Sequence, residues 1–178
     1  MDEPLPGGDD QGVPTWSADG RFLIFGDRLV PEGFDRAAIH KLDLRTRAVS
    51  TIRAPMGLWS PRMSPDGRYL VAVSYDSKAL FVRDNLSETW TRLTGMEFIE
   101  EPAWSADSSW IQFLGHPVST RKALFRIRPA GGHSEETADL TGLENLGETW
   151  VGVAPDGSPL VFRGSTSYEV YALDWERR

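Results

Sequence analysis

The residues of this 178-residue chain that most invite a chemical reading are its carboxylates. Asp19, Asp66, Asp107 and Asp156 recur in matching contexts, Ser-Ala-Asp-Gly, Ser-Pro-Asp-Gly, Ser-Ala-Asp-Ser and Ala-Pro-Asp-Gly. Aspartates in repeated loops suggest a calcium array, but EF-hand spacing and the G-G-x-G-x-D pattern are both absent. An Asp in a tight turn caps its own backbone N–H groups, and that is the expected role of all four. Carboxylates also stand side by side at Asp9-Asp10, Glu100-Glu101 and Glu135-Glu136. A glycosidase holds two carboxyls about 5 to 9 Å apart across a sugar, which sequence neighbours do not establish. His40, His116 and His133 lack the spacing of metal ligands and read as surface or loop residues. There is no G-x-S-x-G, no G-x-x-x-x-G-K-[ST], no G-x-G-x-x-G and no cysteine. The expectation is a protein with no catalytic residue, no metal and no cofactor.

Charge narrows the partners. Nineteen basic residues against twenty-six acidic ones give a net charge of −7, a poor balance for neutralising phosphates, so nucleic acid is not an expected partner. Apolar runs such as Tyr69 to Val73 are strand-sized, far short of the roughly 20 residues that cross a bilayer. The opening MDEPLPGGDD has no hydrophobic stretch of a signal peptide. Cytoplasmic location is therefore expected by default, or periplasmic if the chain belongs to a longer membrane-anchored protein.

The elements that would position these residues are repeated. PTWSADGRFLIF from Pro14, PRMSPDGRYLVAV from Pro61, PAWSADSSWIQFL from Pro102 and VGVAPDGSPLVF from Val151 align, at intervals of 47, 41 and 49 residues. A second apolar segment follows each (IHKLD, LFVRD, LFRIR and VYALD), then a short β-prone stretch such as AVSTI or TWTRL. Four short strands per 41 to 49 residues is the period of a propeller blade. Ser64-Pro65-Asp66-Gly67 has the chemistry of a type I turn closed by a left-handed Gly, and Gly20 and Gly157 hold the same place. Ser108 replaces that Gly in the third repeat and is expected to be left-handed too. No sustained helical stripe is present, so the chain is expected to be all-β.

W-S-x-D-G followed by an aliphatic strand, repeated in this way over residues 14 to 175, resembles the TolB-like, or PD-type, β-propeller repeat. LWSPRMSPDGRYLVAVSYDSKALFVRD and APDGSPLVFRGSTSYEVYALDW are similar to the C-terminal propellers of acidobacterial winged-helix regulators and serine/threonine kinases. The resemblance implies a four-blade propeller of about 15 strands, with blades near 14–53, 61–93, 102–138 and 150–175 after a flexible tail, 1–13. The fourth blade runs out of chain before its fourth strand. A tight four-blade ring, half of a ring completed by a second copy, and a fragment of a larger ring all fit that count. The open sheet edge is a route to self-association.

Trp16 and Trp104 share a repeat position and are expected to pack between blades. Arg121, Lys122, Arg126 and Arg128 form a basic cluster, with Arg126 and Arg128 on one strand face. The loops joining blades, together with those joining second to third strands, share one end of the propeller. They carry Trp59, Phe34, Phe98, Glu100, Glu101, His116 and Trp150. Aromatics beside charges are the composition of a recognition surface. The expected function is therefore non-catalytic: a protein-interaction or sensory module of a bacterial regulator, with a protein or peptide bound by Trp59, Glu100, Glu101, His116 and Trp150. An accessory propeller of a prolyl-oligopeptidase-like hydrolase, or a small-molecule or sugar-binding propeller, are the alternatives.

Overall fold

The computed structural model describes residues 11–27, 37–118, 121–141 and 151–161. These hold fourteen strands and no helix. The first repeat supplies β1 (Gln11–Trp16), β2 (Phe22–Asp27), β3 (Ile39–Asp43) and β4 (Val49–Ile52). The second supplies β5 (Leu58–Met63), β6 (Tyr69–Ser74), β7 (Ala79–Asp84) and β8 (Thr89–Gly95). The third supplies β9 (Phe98–Trp104), β10 (Ile111–Val118), β11 (Arg121–Ile127) and β12 (Glu135–Asp139), and the fourth β13 (Val151–Val153) and β14 (Pro159–Val161). Each repeat folds as a separate antiparallel sheet whose strands neighbour one another in chain order, so one repeat is one blade. The VYALD segment and the rest of the expected fourth blade lie outside the described residues, as does 1–10.

The turn between first and second strands is built as its residues dictate. Ser17, Ser64 and Ser105 each donate their hydroxyl to the turn Asp at 2.6 Å. Each hydroxyl also accepts the N–H five residues on, from Phe22, Tyr69 and Trp110. The Asp oxygen accepts a further backbone N–H: Arg21 onto Asp19, Arg68 onto Asp66, Ser109 onto Asp107 and Ser158 onto Asp156. Gly20 and Gly67 close their turns at φ 68° and 73°, and Ser108 adopts 60° in the same place.

The fourth turn differs by a matched pair of changes. Ala154 has no hydroxyl to accept, and Pro159 has no N–H to give, so both halves of the bond made by Ser64 and Tyr69 are missing together. The hairpin closes one residue tighter, with Ala154 N–H donating to Ser158 O instead of the bond from Ser64 N–H to Tyr69 O. Val153 consequently pairs with Pro159, whereas Met63 pairs with Leu70. A one-residue slip reverses which sheet face a side chain occupies. Leu160 thus takes the ladder position of Val71.

The core lies in the wedges between blades. Strand alternation sends Leu70 and Ala72 of β6 to one side, where they pack with Ile24 and Ile39 of the first blade. Val71 and Val73 go to the other, against Ile99, Ile111, Phe113 and Phe125 of the third. Each fully buried aliphatic side chain contributes about 1.5–3 kcal/mol, so the two wedges hold three blades together. At the position of Ile24 and Val71 the third blade carries Gln112, which donates Nε2–H to Gly157 O of the fourth-blade turn at 3.0 Å. Its Oε1 is buried with no hydrogen-bond partner.

Three expectations change. The first strands begin before the prolines: β1 at Gln11, inside the segment read as tail, β5 at Leu58 and β9 at Phe98. Val13, Ser60 and Glu101, each preceding a proline, take φ of 52°, 50° and 53° and form irregularities that let a proline sit within the strand. Trp104 packs between blades as expected, its ring stacked on Tyr69 at 6.2 Å and its N–H donated to Arg62 O. Trp16 does not; it is 60% exposed. His40, read as a surface residue, is buried on β3.

Candidate functional site

Strand pairing fixes what stands at the loop end. β9 starts with Phe98 and pairs with β10 so that Phe98 lies opposite His116, Ile99 opposite Gly115 and Glu100 opposite Leu114. Phe98 and His116 meet edge to face, centroids 5.4 Å apart, with Phe98 still 37% exposed. Burial first, and then the charge of Lys122, lower the His116 pKa below its ordinary value, so the ring is neutral at pH 7. Its Nε2 is shielded from solvent without a hydrogen-bond partner. Val118, two residues on, and Met56, in the connection between the first two blades, are exposed at the same end.

The other sequence-derived residues divide. Trp59 is half-buried, donates its indole N–H to Ser74 O at 3.1 Å and packs on the core between the second and third blades. Its role in the fold is to plug that wedge. Glu101 lies 3.8 Å from the Arg62 guanidinium, an ion pair too long for a hydrogen bond. Arg62 in turn donates Nη1–H to Pro61 O and to Val13 O of the first blade, so one side chain ties the inner strands of three blades. Burial lowers the Arg62 pKa, and Glu101 partly offsets that. Glu100 is half-buried beside it on β9. Trp150 and Phe34 lie outside the described residues. Arg62 has no sequence signature and was missed.

Among the described residues, clefts open at the opposite end, where the aspartate turns lie. One of about 320 Å³ is lined by Trp16, Arg62, Met63, Pro102, Trp104 and Val153, so the inner strands of all four repeats converge on it. A polar one of about 380 Å³ separates the third and fourth blades and includes Asp107, Trp110, Gln112 and Asp156. Every turn aspartate already bonds its own turn, and those bonds lower the carboxyl pKa; Asp107, held first by the Ser105 hydroxyl, is lowered to about 2. Arg126 and Arg128 share a face, as alternation requires, both over the Trp110 ring.

A hydroxyl–imidazole–carboxylate chain does exist. His40 Nε2 lies 3.1 Å from Asp27 Oδ1 and His40 Nδ1 lies 3.3 Å from Thr51 Oγ1. The order resembles that of acyl-transfer enzymes. Here it satisfies both nitrogens of a buried ring, while the second Asp27 oxygen accepts Ala38 N–H. His40 stands opposite Phe25 as Phe81 stands opposite Ala72 and Phe125 opposite Phe113, so the chain explains how a polar ring occupies an aromatic's place.

Separate four-stranded sheets, cores in the wedges and inner strands converging on one cavity define a β-propeller, partial at four repeats. Its fold is that of TolB-like propellers. TolB from Acinetobacter baumannii superposes with a TM-score of 0.65 at 22% identity, over 82% of this chain and 35% of that one. A TolB candidate from Agrobacterium tumefaciens superposes with a TM-score of 0.68 at 18% identity, over 94% and 61%. The β-propeller domain of the Trilobed protease from Pyrococcus furiosus gives 0.57 at 15% identity, over 72% and 42%. The chain thus spans between about a third and three fifths of the length of these proteins. No protein-family profile and no curated protein sequence matches it. Among the described residues no helix is long and apolar enough to cross a membrane.

Proposed function

We propose that the chain is a non-catalytic binding module that recognises a protein or peptide at the loop end of its second and third blades, as the sensory or regulatory part of a bacterial protein. The observation that carries this reading is the Phe98–His116 pair. It is an exposed aromatic braced by strand pairing and by edge-to-face contact with a neutral imidazole. Val118, on the same strand as His116, and Met56 are further exposed apolar side chains at this end, and Arg121 and Lys122 follow on the next strand. A braced aromatic loses little entropy on binding, so its contact area translates into affinity.

The test is selection of peptides from a display library on the immobilised protein, followed by titration of the best binder against variants. Phe98→Ala and His116→Ala are expected to weaken binding roughly tenfold or more, about 1.4 kcal/mol. Their melting temperatures should stay within about 2 °C of the parent. Binders indifferent to both substitutions would place recognition elsewhere. The likeness to the Trilobed protease propeller supports a second reading, a propeller that screens substrate for a peptidase. A G-x-S-x-G domain encoded in the same gene would decide for it.

A further inference from the structure

The junction between the first and second blades is built differently from the one that follows it. At the second junction Trp104, the last residue of β9, lays its ring on Tyr69, and the Ser108 hydroxyl accepts Asp66 N–H from the turn of the blade before. At the first junction the same repeat positions hold Met63 for Trp104, Phe22 for Tyr69 and Gly67 for Ser108, so no second ring and no hydroxyl close the groove. A cleft of about 410 Å³ opens there. Its wall is apolar, from Phe22, Ile24, Ile52 and Met63, and its rim is charged. Both rim carboxylates are already matched. Asp19 accepts the Ser17 hydroxyl and Arg21 N–H, with the Arg21 charge beside it. Glu88 lies 3.0 Å from the Arg83 guanidinium, which also donates to Asn85 Oδ1. Lys41 is not matched. It stands opposite Ile24 on β3, where the second blade has Val82, and its ammonium lies 4.8 Å from the centre of the Phe22 ring. No carboxylate pairs with it among the described residues.

We propose that this cleft binds a small organic acid, an aryl or short alkyl carboxylate whose apolar body lies against Phe22, Ile52 and Met63 and whose carboxylate meets the Lys41 ammonium. Charge selects the head group. With Asp19 and Glu88 matched by Arg21 and Arg83, Lys41 leaves the cleft with one positive charge unanswered. Lys41 is half-buried, and an ammonium held partly out of water attracts an anion more strongly than one in bulk solvent. The wall selects the body, and a cleft of this size holds a ring with a short side chain. One junction on, Trp104 shows that the repeat's aromatic residue accepts a flat ring against it. The cleft lies at the turn end, away from Phe98 and His116, and does not rest on peptide recognition there.

Chemical-shift mapping of the isotope-labelled full chain tests the proposal, with phenylacetate as the probe and phenylacetamide as its neutral twin. Phenylacetate is expected to shift the amide signals around Phe22, Lys41 and Gly67 with a dissociation constant on the order of 1 mM or lower. Phenylacetamide should bind at least tenfold more weakly. Lys41→Met should weaken phenylacetate binding tenfold or more and Lys41→Arg should retain it, with melting temperatures within about 2 °C of the parent. Met63→Trp, which brings the ring of the second junction to the first, should abolish binding, and Phe98→Ala should leave it unchanged. Acetyl-phenylalanine carries the same carboxylate on a peptide-like residue: binding tighter than that of phenylacetate names a peptide C-terminus as the source, and weaker binding a free acid. Shifts absent from the cleft residues, equal affinity for acid and amide, or full affinity in Lys41→Met would each overturn the site.

Discussion

Ser108 allows the turn geometry to be weighed against a contact between blades. Its φ of 60° is a conformation that costs a residue with a Cβ roughly 1–2 kcal/mol and glycine little. Glycine loses part of that advantage to its greater freedom in the unfolded chain, so relief of this kind nets about 0.5–1 kcal/mol. The Ser108 hydroxyl, however, accepts the Asp66 N–H at 3.1 Å, a bond from the third-blade turn to the second-blade turn. Losing it costs about 1 kcal/mol, more if the Asp66 N–H finds no water. Ser108→Gly should therefore be neutral or destabilise slightly, and Ser108→Ala, which keeps the strain and loses the bond, should cost about 1–2 kcal/mol. Arg47 is the control: exposed, at φ 64°, with no side-chain bond among the described residues. Arg47→Gly should stabilise by about 0.5–1 kcal/mol, placing its melting temperature about 2–4 °C above that of Ser108→Gly. Urea unfolding followed by tryptophan fluorescence reads these differences as shifts in midpoint at constant slope. If Ser108→Gly stabilised as much as Arg47→Gly, the contact between turns would carry no energy and the reasoning would fail.

Three further outcomes are expected. Trp59→Ala should destabilise by about 2–3 kcal/mol in thermal unfolding, because its half-buried ring packs on the core; an unchanged melting temperature would show that the ring serves the surface instead. Asp107 ionises at about 2 in the fold against 3.8 ordinarily, so its contribution is present above 3.8 and is lost as pH falls through about 2. Asp107→Asn should accordingly flatten the loss of stability between these pH values, measured as melting temperature against pH. A Cβ at Gly115 would lie 2.6 Å from Met96 Sδ and 2.9 Å from Phe125 Cδ2, so Gly115→Ala should cost about 1–3 kcal/mol in urea unfolding.

The blades were legible because their turn chemistry is local: the Asp and a left-handed residue each carry a physical requirement met in all four repeats, and the Ser is missing only from the last. The start of the inner strands was not legible, since a proline reads as a strand boundary and nothing in Val13 or Glu101 announces a positive φ. His40 was misread because a polar residue within a strand suggests a solvent-facing side, and its partners Asp27 and Thr51 come from two other strands. At the loop end, Phe98 and His116 were named from composition, but only strand register joins them. Trp59 belonged to the same compositional group and went to the core instead, which no spacing distinguishes.

The paired absence of a hydroxyl at 154 and an amide hydrogen at 159 makes those two positions epistatic. Restoring serine alone supplies an acceptor with no donor, and replacing the proline alone supplies a donor with no acceptor, so neither reversion by itself recovers the bond. Made together, they would reset the hairpin to the spacing of its siblings and carry Leu160 to the opposite side of its sheet. Two codons thus act as a single lever on which surface the last blade presents, one that stepwise mutation cannot easily pull.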